Sequence, residues 1–198
     1  MVGSDADAIR SVLAGDVDRY AELVDKYQAH AIRLAFSFLG NYEDARDASQ
    51  DAFVSAYRAL GRFQSRATFS TWLYRIVINS CKDTVRRRQR RPTVAVRLGP
   101  ASDVDDSENL FIDAPDPGAG PGEQLANREL GLQLTRAIGT LPMKQRSAFI
   151  LHQVHGMTLQ ETADVMGCRT GTVKAHVFRA TEALRAQLEP WQAQERSA

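Results

Sequence analysis

The sequence predicts an all-α fold of two small helical domains joined by a flexible acidic linker. Apolar residues recur at intervals of three and four over most of the chain, as on a helix with one buried face, and no stretch of useful length alternates as a strand would. Between Pro92 and Gly122 the period fails. Pro100, Pro115, Pro117 and Pro121 stand there among Gly, Ser and Asp, with few aliphatics. Such a segment buries too little apolar surface to offset its ordering entropy, so it reads as a linker in which only Leu110-Phe-Ile112 could dock.

Taken in order, Val17, Tyr20, Ala21, Val24 and Tyr27, then Ile32, Ala35, Phe36 and Leu39, mark helix until Gly40-Asn41 breaks the pattern. Glu43 to Leu60 places Ala45, Ala48, Ala52, Ala56 and Leu60 on one stripe. Gly61 to Thr68 reads as a loop, and Phe69 to about Arg88 as a long helix with Phe69, Leu73, Ile76 and Ser80 on one face. Periodicity returns with Leu130, Leu134, Ala137, Ile138 and Leu141, and Met143, Ser147, Ile150 and Val154 predict a further helix stopped at Gly156. The expected domains are residues 1–91 and 126–190, with a linker over 92–125 and a tail over 191–198.

The run from Thr158 to Arg179 predicts a helix-turn-helix. Thr158 and Glu161 have capping-box spacing, which starts a helix. Gly167 falls where that helix must turn, since glycine takes a positive φ at little cost. A second helix opens near Thr170 and carries Lys174, His176 and Arg179 outward, while Ala163 and Val173 supply the small and buried positions. Such a unit lays its second helix in the DNA major groove. An ordinary helical hairpin would explain the spacing but not the basic second helix.

Charge sharpens the picture. With 25 Lys and Arg against 24 Asp and Glu the formal net charge is +1, which argues against uniform coating of nucleic acid. The charges are nonetheless segregated. Lys82-Asp-Thr-Val-Arg-Arg-Arg-Gln-Arg-Arg91 is densely basic, whereas Leu98 to Asn127 holds no Lys or Arg while Asp103, Asp105, Asp106, Glu108, Asp113, Asp116 and Glu123 accumulate. The beginning of the chain has no secretory pattern, no apolar run could span a bilayer, and Cys81 and Cys168 make no disulfide framework, so the chain is expected to be cytoplasmic.

On the long helix, Trp72, Arg75, Asn79, Lys82 and Arg86 step by three and four. Cations that neutralise phosphate, a ring that stacks and an amide that reads a base edge suit single-stranded DNA. For Trp72 alone, packing in the core is the better explanation, because large aromatics are usually well buried. On Glu43 to Leu60, Asp44, Asp47, Gln50 and Asp51 share a surface opposite the alanines. The helix dipole explains Asp44 and Asp47 but not Asp51, so this face suggests a basic protein partner.

Several motifs carry a family resemblance: Asp44-Ala-Arg-Asp-Ala-Ser-Gln-Asp-Ala-Phe53, Tyr57-Arg-Ala-Leu-Gly-Arg-Phe63, Phe69-Ser-Thr-Trp-Leu-Tyr-Arg-Ile-Val-Ile-Asn79 and Gly171-Thr-Val-Lys-Ala-His-Val-Phe-Arg-Ala180. In this order, the chain resembles bacterial RNA polymerase sigma factors of the extracytoplasmic-function group of the sigma-70 family, nearest the envelope-stress branch. The match runs from about Gly15 to Arg91 and from about Glu129 to Leu188. The resemblance implies a region 2 bundle and a region 4 helix-turn-helix that direct core polymerase to promoters. It assigns core docking on the β′ clamp helices to Asp44, Asp47, Gln50 and Asp51. It assigns the −10 element, with a base flipped between Phe63 and Asn79, to Phe63, Gln64, Ser65, Arg66, Trp72, Arg75, Asn79, Lys82 and Arg86. The −35 duplex falls to Arg169, Thr172, Lys174, Ala175, His176, Phe178 and Arg179. The linker would run toward the RNA exit path, its charge mimicking nucleic acid. The polymerase core, including the β flap, promoter DNA and an anti-sigma factor are the implied partners, with no direct membrane insertion.

Departures from the family pattern matter for specificity. Gln64-Ser-Arg-Ala67 replaces a common Gly-Asp-Ser in the −10 loop, and Lys174, Ala175 and His176 stand where relatives often carry Arg, Ser and Arg. Lysine or histidine cannot reproduce a bidentate arginine on guanine, so different promoter bases are expected. A stand-alone operator-binding regulator would have no use for the acidic face and the long aromatic helix. For an enzyme, only His152, His155 and Cys168 hint at a metal site, and the spacing is weak. No catalytic group, cofactor or metal is expected.

Overall fold

The computed structural model describes residues 4–65, 67–90 and 121–195, with side chains described over 4–65, 67–88 and 131–189. Eight α-helices lie among the described residues and no strand does. The first four are α1 (Asp5–Leu13), α2 (Tyr20–Leu39), α3 (Tyr42–Ala59) and α4 (Phe69–Arg90). They are followed by α5 (Pro121–Thr140), α6 (Met143–Phe149), α7 (Leu159–Met166) and α8 (Thr170–Glu195). Short 3₁₀ turns at Val17–Arg19 and Leu60–Arg62 and a π-turn at Ile150–Val154 join them.

The alanine stripe is fully internal: Ala45, Ala52 and Ala56 have no exposed surface and Ala48 and Leu60 almost none. Small side chains let α3 approach α2 and α4 closely, and Asn41 starts it by accepting the Asp44 amide at 3.0 Å. The remaining faces differ from the sequence expectation. Val17 and Ala21 are exposed, and α2 instead buries Leu23, Ala31, Leu34, Ala35 and Phe38. On α4 the buried row is Phe69, Leu73, Val77 and Cys81, steps of four, rather than one through Ile76 and Ser80. Helix α1 was not foreseen; Ser4 caps it and Ala8, Ile9 and Val12 seat it. Asp5 then ties it down, accepting from Tyr27 Oη and Lys26 Nζ at 2.6 Å each.

Helix α5 starts at Pro121, inside the expected linker, and α8 runs to Glu195, through most of the expected tail. The rest of that linker, with Leu110-Phe-Ile112, lies outside the described residues. The core does not stop between the modules. Leu34, Phe38, Leu73 and Val77 belong to the same buried cluster as Ile138, Ile150, Leu151 and Leu184. Each such side chain contributes about 1.5–3 kcal/mol when removed from water. A second, smaller cluster of Ala148, Ala163, Val173 and Val177 holds the helix-turn-helix together.

Candidate nucleic-acid and protein interfaces

The helix-turn-helix is built as its residues dictate. Thr158 Oγ1 accepts the Glu161 amide at 3.2 Å and Glu161 Oε2 accepts the Thr158 amide at 2.9 Å, a complete capping box. That backbone donor holds the Glu161 carboxyl below the usual carboxylate range. Gly167 closes α7 at φ 65°, where any side chain would be strained. Helix α8 buries Val173, Val177, Ala180 and Leu184, which turns Arg169, Thr172, Lys174, Ala175 and Arg179 to solvent. Phe178 is 67% exposed, a large apolar ring left in water. His176 departs from the outward orientation expected of it. It is half-buried and its Nδ1 is enclosed without a hydrogen-bond partner. Burial, then Arg179 and Lys144, depress its pKa.

On α4 the aromatic residues pack on one another. Trp72 lies 5.1 Å from Phe63 and 5.7 Å from Phe69 between ring centroids, so the core explanation holds for Trp72. Phe63 is half-buried in the same group. Gln64 and Ser65 are exposed beside it, Ser65 at φ 53°, and Arg66 lies outside the described residues. Arg75, Asn79 and Arg86 are exposed along one line, while Lys82 is half-buried and its pKa is lowered first by burial and then by Arg86 and Arg75. Arg75 also leans on the other module: a methyl group added at Gly167 would sit 3.4 Å from its Nη2.

Asp47, Gln50 and Asp51 are exposed on α3 and Asp44 is partly so. Two of these carboxylates face the basic run of α4: Asp51 lies 3.6 Å from Arg87, and Asp44 pairs with Arg88. Val54, which the charge pattern does not single out, is 43% exposed and one helical step beyond Asp51 on this face. Its interval of seven from Asp47 and three from Asp51 was the available signal. Elsewhere, His152 Nδ1 lies 2.6 Å from the Met157 carbonyl and His155 Nε2 lies 3.1 Å from Ser37 Oγ, so the two rings are engaged separately. Among the described residues no three His, Cys, Asp or Glu side chains could hold a metal, and no helix is long and apolar enough to cross a membrane. Both cysteines are free.

Comparison with known proteins gives consistent matches. The family model for sigma-70 region 2 matches residues 23–91, and that for sigma-70 region 4 matches residues 131–184. The RNA polymerase sigma-H factor of Pseudomonas aeruginosa is 35% identical over 94% of each chain. The ECF RNA polymerase sigma-E factor of Escherichia coli K12 is 34% identical over 94% of this chain and 95% of its own. The ECF RNA polymerase sigma factor SigW of Bacillus subtilis is 31% identical over 91% and 94%. The fold is similar to that of CnrH, solved in complex with the cytosolic domain of CnrY, with a TM-score of 0.66 at 24% identity over 95% of this chain and 99% of that one. It is also similar to that of the Bartonella quintana sigma factor RpoE, solved in complex with the anti-sigma factor NepR, with a TM-score of 0.54 at 23% identity over 84% and 98%.

Proposed function

Because the chain belongs to the extracytoplasmic-function RNA polymerase sigma factors of the sigma-70 family, we propose that it docks on core polymerase through α3 and reads a bipartite promoter through α4 and α8. The observation that carries this reading is the layout of charge: carboxylates at Asp44, Asp47 and Asp51 line α3, where Arg88 and Arg87 of α4 border them, and further exposed cations run along α4 and recur on α8 in the other module. The carboxylates, with Gln50 and Val54, suit a basic, partly apolar protein surface such as the β′ clamp helices. Arg75, Asn79 and Arg86, with half-buried Lys82, suit the −10 strand, where cations hold phosphate and the Asn79 amide reads a flipped base. The loop of Phe63, Gln64, Ser65 and Arg66 borders that path, and Trp72 supports it from beneath.

In the −35 duplex, Arg169, Thr172, Lys174, Ala175 and Arg179 face the major groove, and the Phe178 ring suits a thymine methyl. His176 stands at the edge of that face. Residues 1–91 and 126–190 form the two working modules. The chain acts in the cytoplasm, carries no catalytic activity of its own, and is held by an anti-sigma factor that covers its polymerase-binding surface. An operator-binding regulator would have no need of the α3 face.

The decisive experiment is in vitro transcription with core polymerase. Asn79→Ala should impair promoter opening while core binding survives, and charge reversal at Asp47 and Asp51 should abolish core binding. Loss of core binding in Asn79→Ala would overturn the assignment of faces.

A further inference from the structure

The two modules meet at a polar joint. Helix α2 and the π-turn bring Ser37 Oγ to 3.1 Å from His155 Nε2, beside a cavity of about 80 Å³ lined by His30, Leu34, Tyr74, Leu151, His155 and Met157. The backbone is shaped for this placement. The His155 amide bonds the Ile150 carbonyl at 2.9 Å, a five-residue step, and Gly156 follows at φ 65°. Such π-turns are rare and frequently lie at functional sites. Ser37 donates its hydroxyl to the Arg33 carbonyl at 2.9 Å, so towards His155 it accepts. The network therefore assigns neutral His155 its proton on Nε2. Protonation would add charge at Nδ1 in a buried joint. The groups facing it are Arg33 and His30 of α2, both positive or ready to become so, and the neutral phenol of Tyr74 of α4. The modules also meet where the Gly167 turn of the helix-turn-helix approaches Arg75 of α4, whose Nη2 a methyl group there would reach at 3.4 Å.

We propose that this joint is a proton-sensitive latch: with neutral His155 the modules close, and protonation of His155 opens them and frees Arg75. The latch stands on the joint alone; only its consequence for promoter reading rests on the function proposed above. Burial, then Arg33 and His30, pushes the imidazole down to about 4 in the closed form, against about 6.5 for an exposed histidine. The sign follows: closure is fully favoured above about pH 6.5 and is lost progressively as the pH falls toward 4.

The test is single-molecule energy transfer on the full chain, with dyes on exposed sites of α3 and α8, and helix content followed at each pH. Between about pH 7.5 and pH 5 the closed-to-open ratio should fall about 30-fold in the parent protein and hardly at all in His155→Gln. Ser37→Ala, which removes the acceptor, should open more at neutral pH. Equal pH responses in parent and His155→Gln would overturn the latch. So would a parent that stays closed at pH 5 with its helices intact, or a Ser37→Ala protein as closed as the parent. If the latch opens as expected and Arg75→Ala leaves promoter activity unchanged, the latch survives and the reading of α4 fails.

Discussion

Val173 and Phe178 lie five residues apart on one helix and separate stability from recognition. Val173 has no exposed surface and is the largest fully buried side chain of the cluster that joins α6, α7 and α8; two of its three partners there are alanines. Val173→Ala removes two carbons, about 1.6 kcal/mol of transfer free energy at about 0.8 kcal/mol per methylene. A cavity contribution is added, because Leu159 and Met166, which pack against the cluster, fill the void only in part, giving a loss of about 2–3 kcal/mol. Phe178, 67% exposed, has almost nothing to lose. Phe178→Ala should change stability by less than about 0.5 kcal/mol yet weaken −35 duplex binding. Urea unfolding followed by circular dichroism, with duplex affinity at fixed salt, reads both. A Val173→Ala protein within 0.5 kcal/mol of the parent would refute the role of this cluster in holding α8. A destabilised Phe178→Ala would refute the free ring.

Three further outcomes follow from single contacts. Thr158→Ala should cost about 1 kcal/mol through the lost cap, seen in urea unfolding. Because the Thr158 amide lowers the Glu161 carboxyl, that part of the box acts fully above about pH 4.5 and fades as the pH falls below it. Thr162 is fully buried and its hydroxyl has no hydrogen-bond partner, so Thr162→Val should raise stability by about 1 kcal/mol on the same measurement. Cys81 is completely buried and burial pushes its thiol up to about 12, so in a timed thiol titration Cys81 should react only after denaturation while Cys168 reacts in the native protein.

Local chemistry was legible in the sequence; long-range packing was not. The capping box, the Gly167 turn and the alanine stripe are short-range choices of residue type, and each stands where the spacing put it. The buried faces of α2 and α4 are not legible in the same way, because an apolar residue at helical spacing can point at either of two neighbours. Val77 and Cys81 rather than Ile76 and Ser80 turn inward, since α4 is covered from more than one side. Helix α1 is short and weakly apolar, and it is held by Asp5 reaching Lys26 and Tyr27, a contact no local pattern announces. The place of His176 on the basic face points outward, yet the residue is half-buried and close enough to Lys144 of α6 for that charge to lower its pKa. The pairing of Asp44 and Asp51 with Arg88 and Arg87 was equally hidden, because it depends on how α3 lies along α4.

The continuity of the core across both modules and the polarity of their joint pull in opposite directions. Leu34 and Leu73 share a cluster with Ile150 and Leu151, so closing the modules buries apolar surface that favours the closed form. At the edges of that contact stand groups that closing penalises. Burial disfavours the charged forms of both His155 and Arg146, lowering their pKa values, and Arg146 Nε is enclosed without a partner beside Gly139 and Cys81. An unpartnered buried polar atom costs about 1–3 kcal/mol, which is returned when water reaches it. An all-apolar joint would fix the two reading surfaces in one arrangement. The joint built here keeps the closed form stable while leaving a separation within reach of a proton or of a competing surface. The function proposed for α4 and α8, engaging different stretches of nucleic acid, requires that balance.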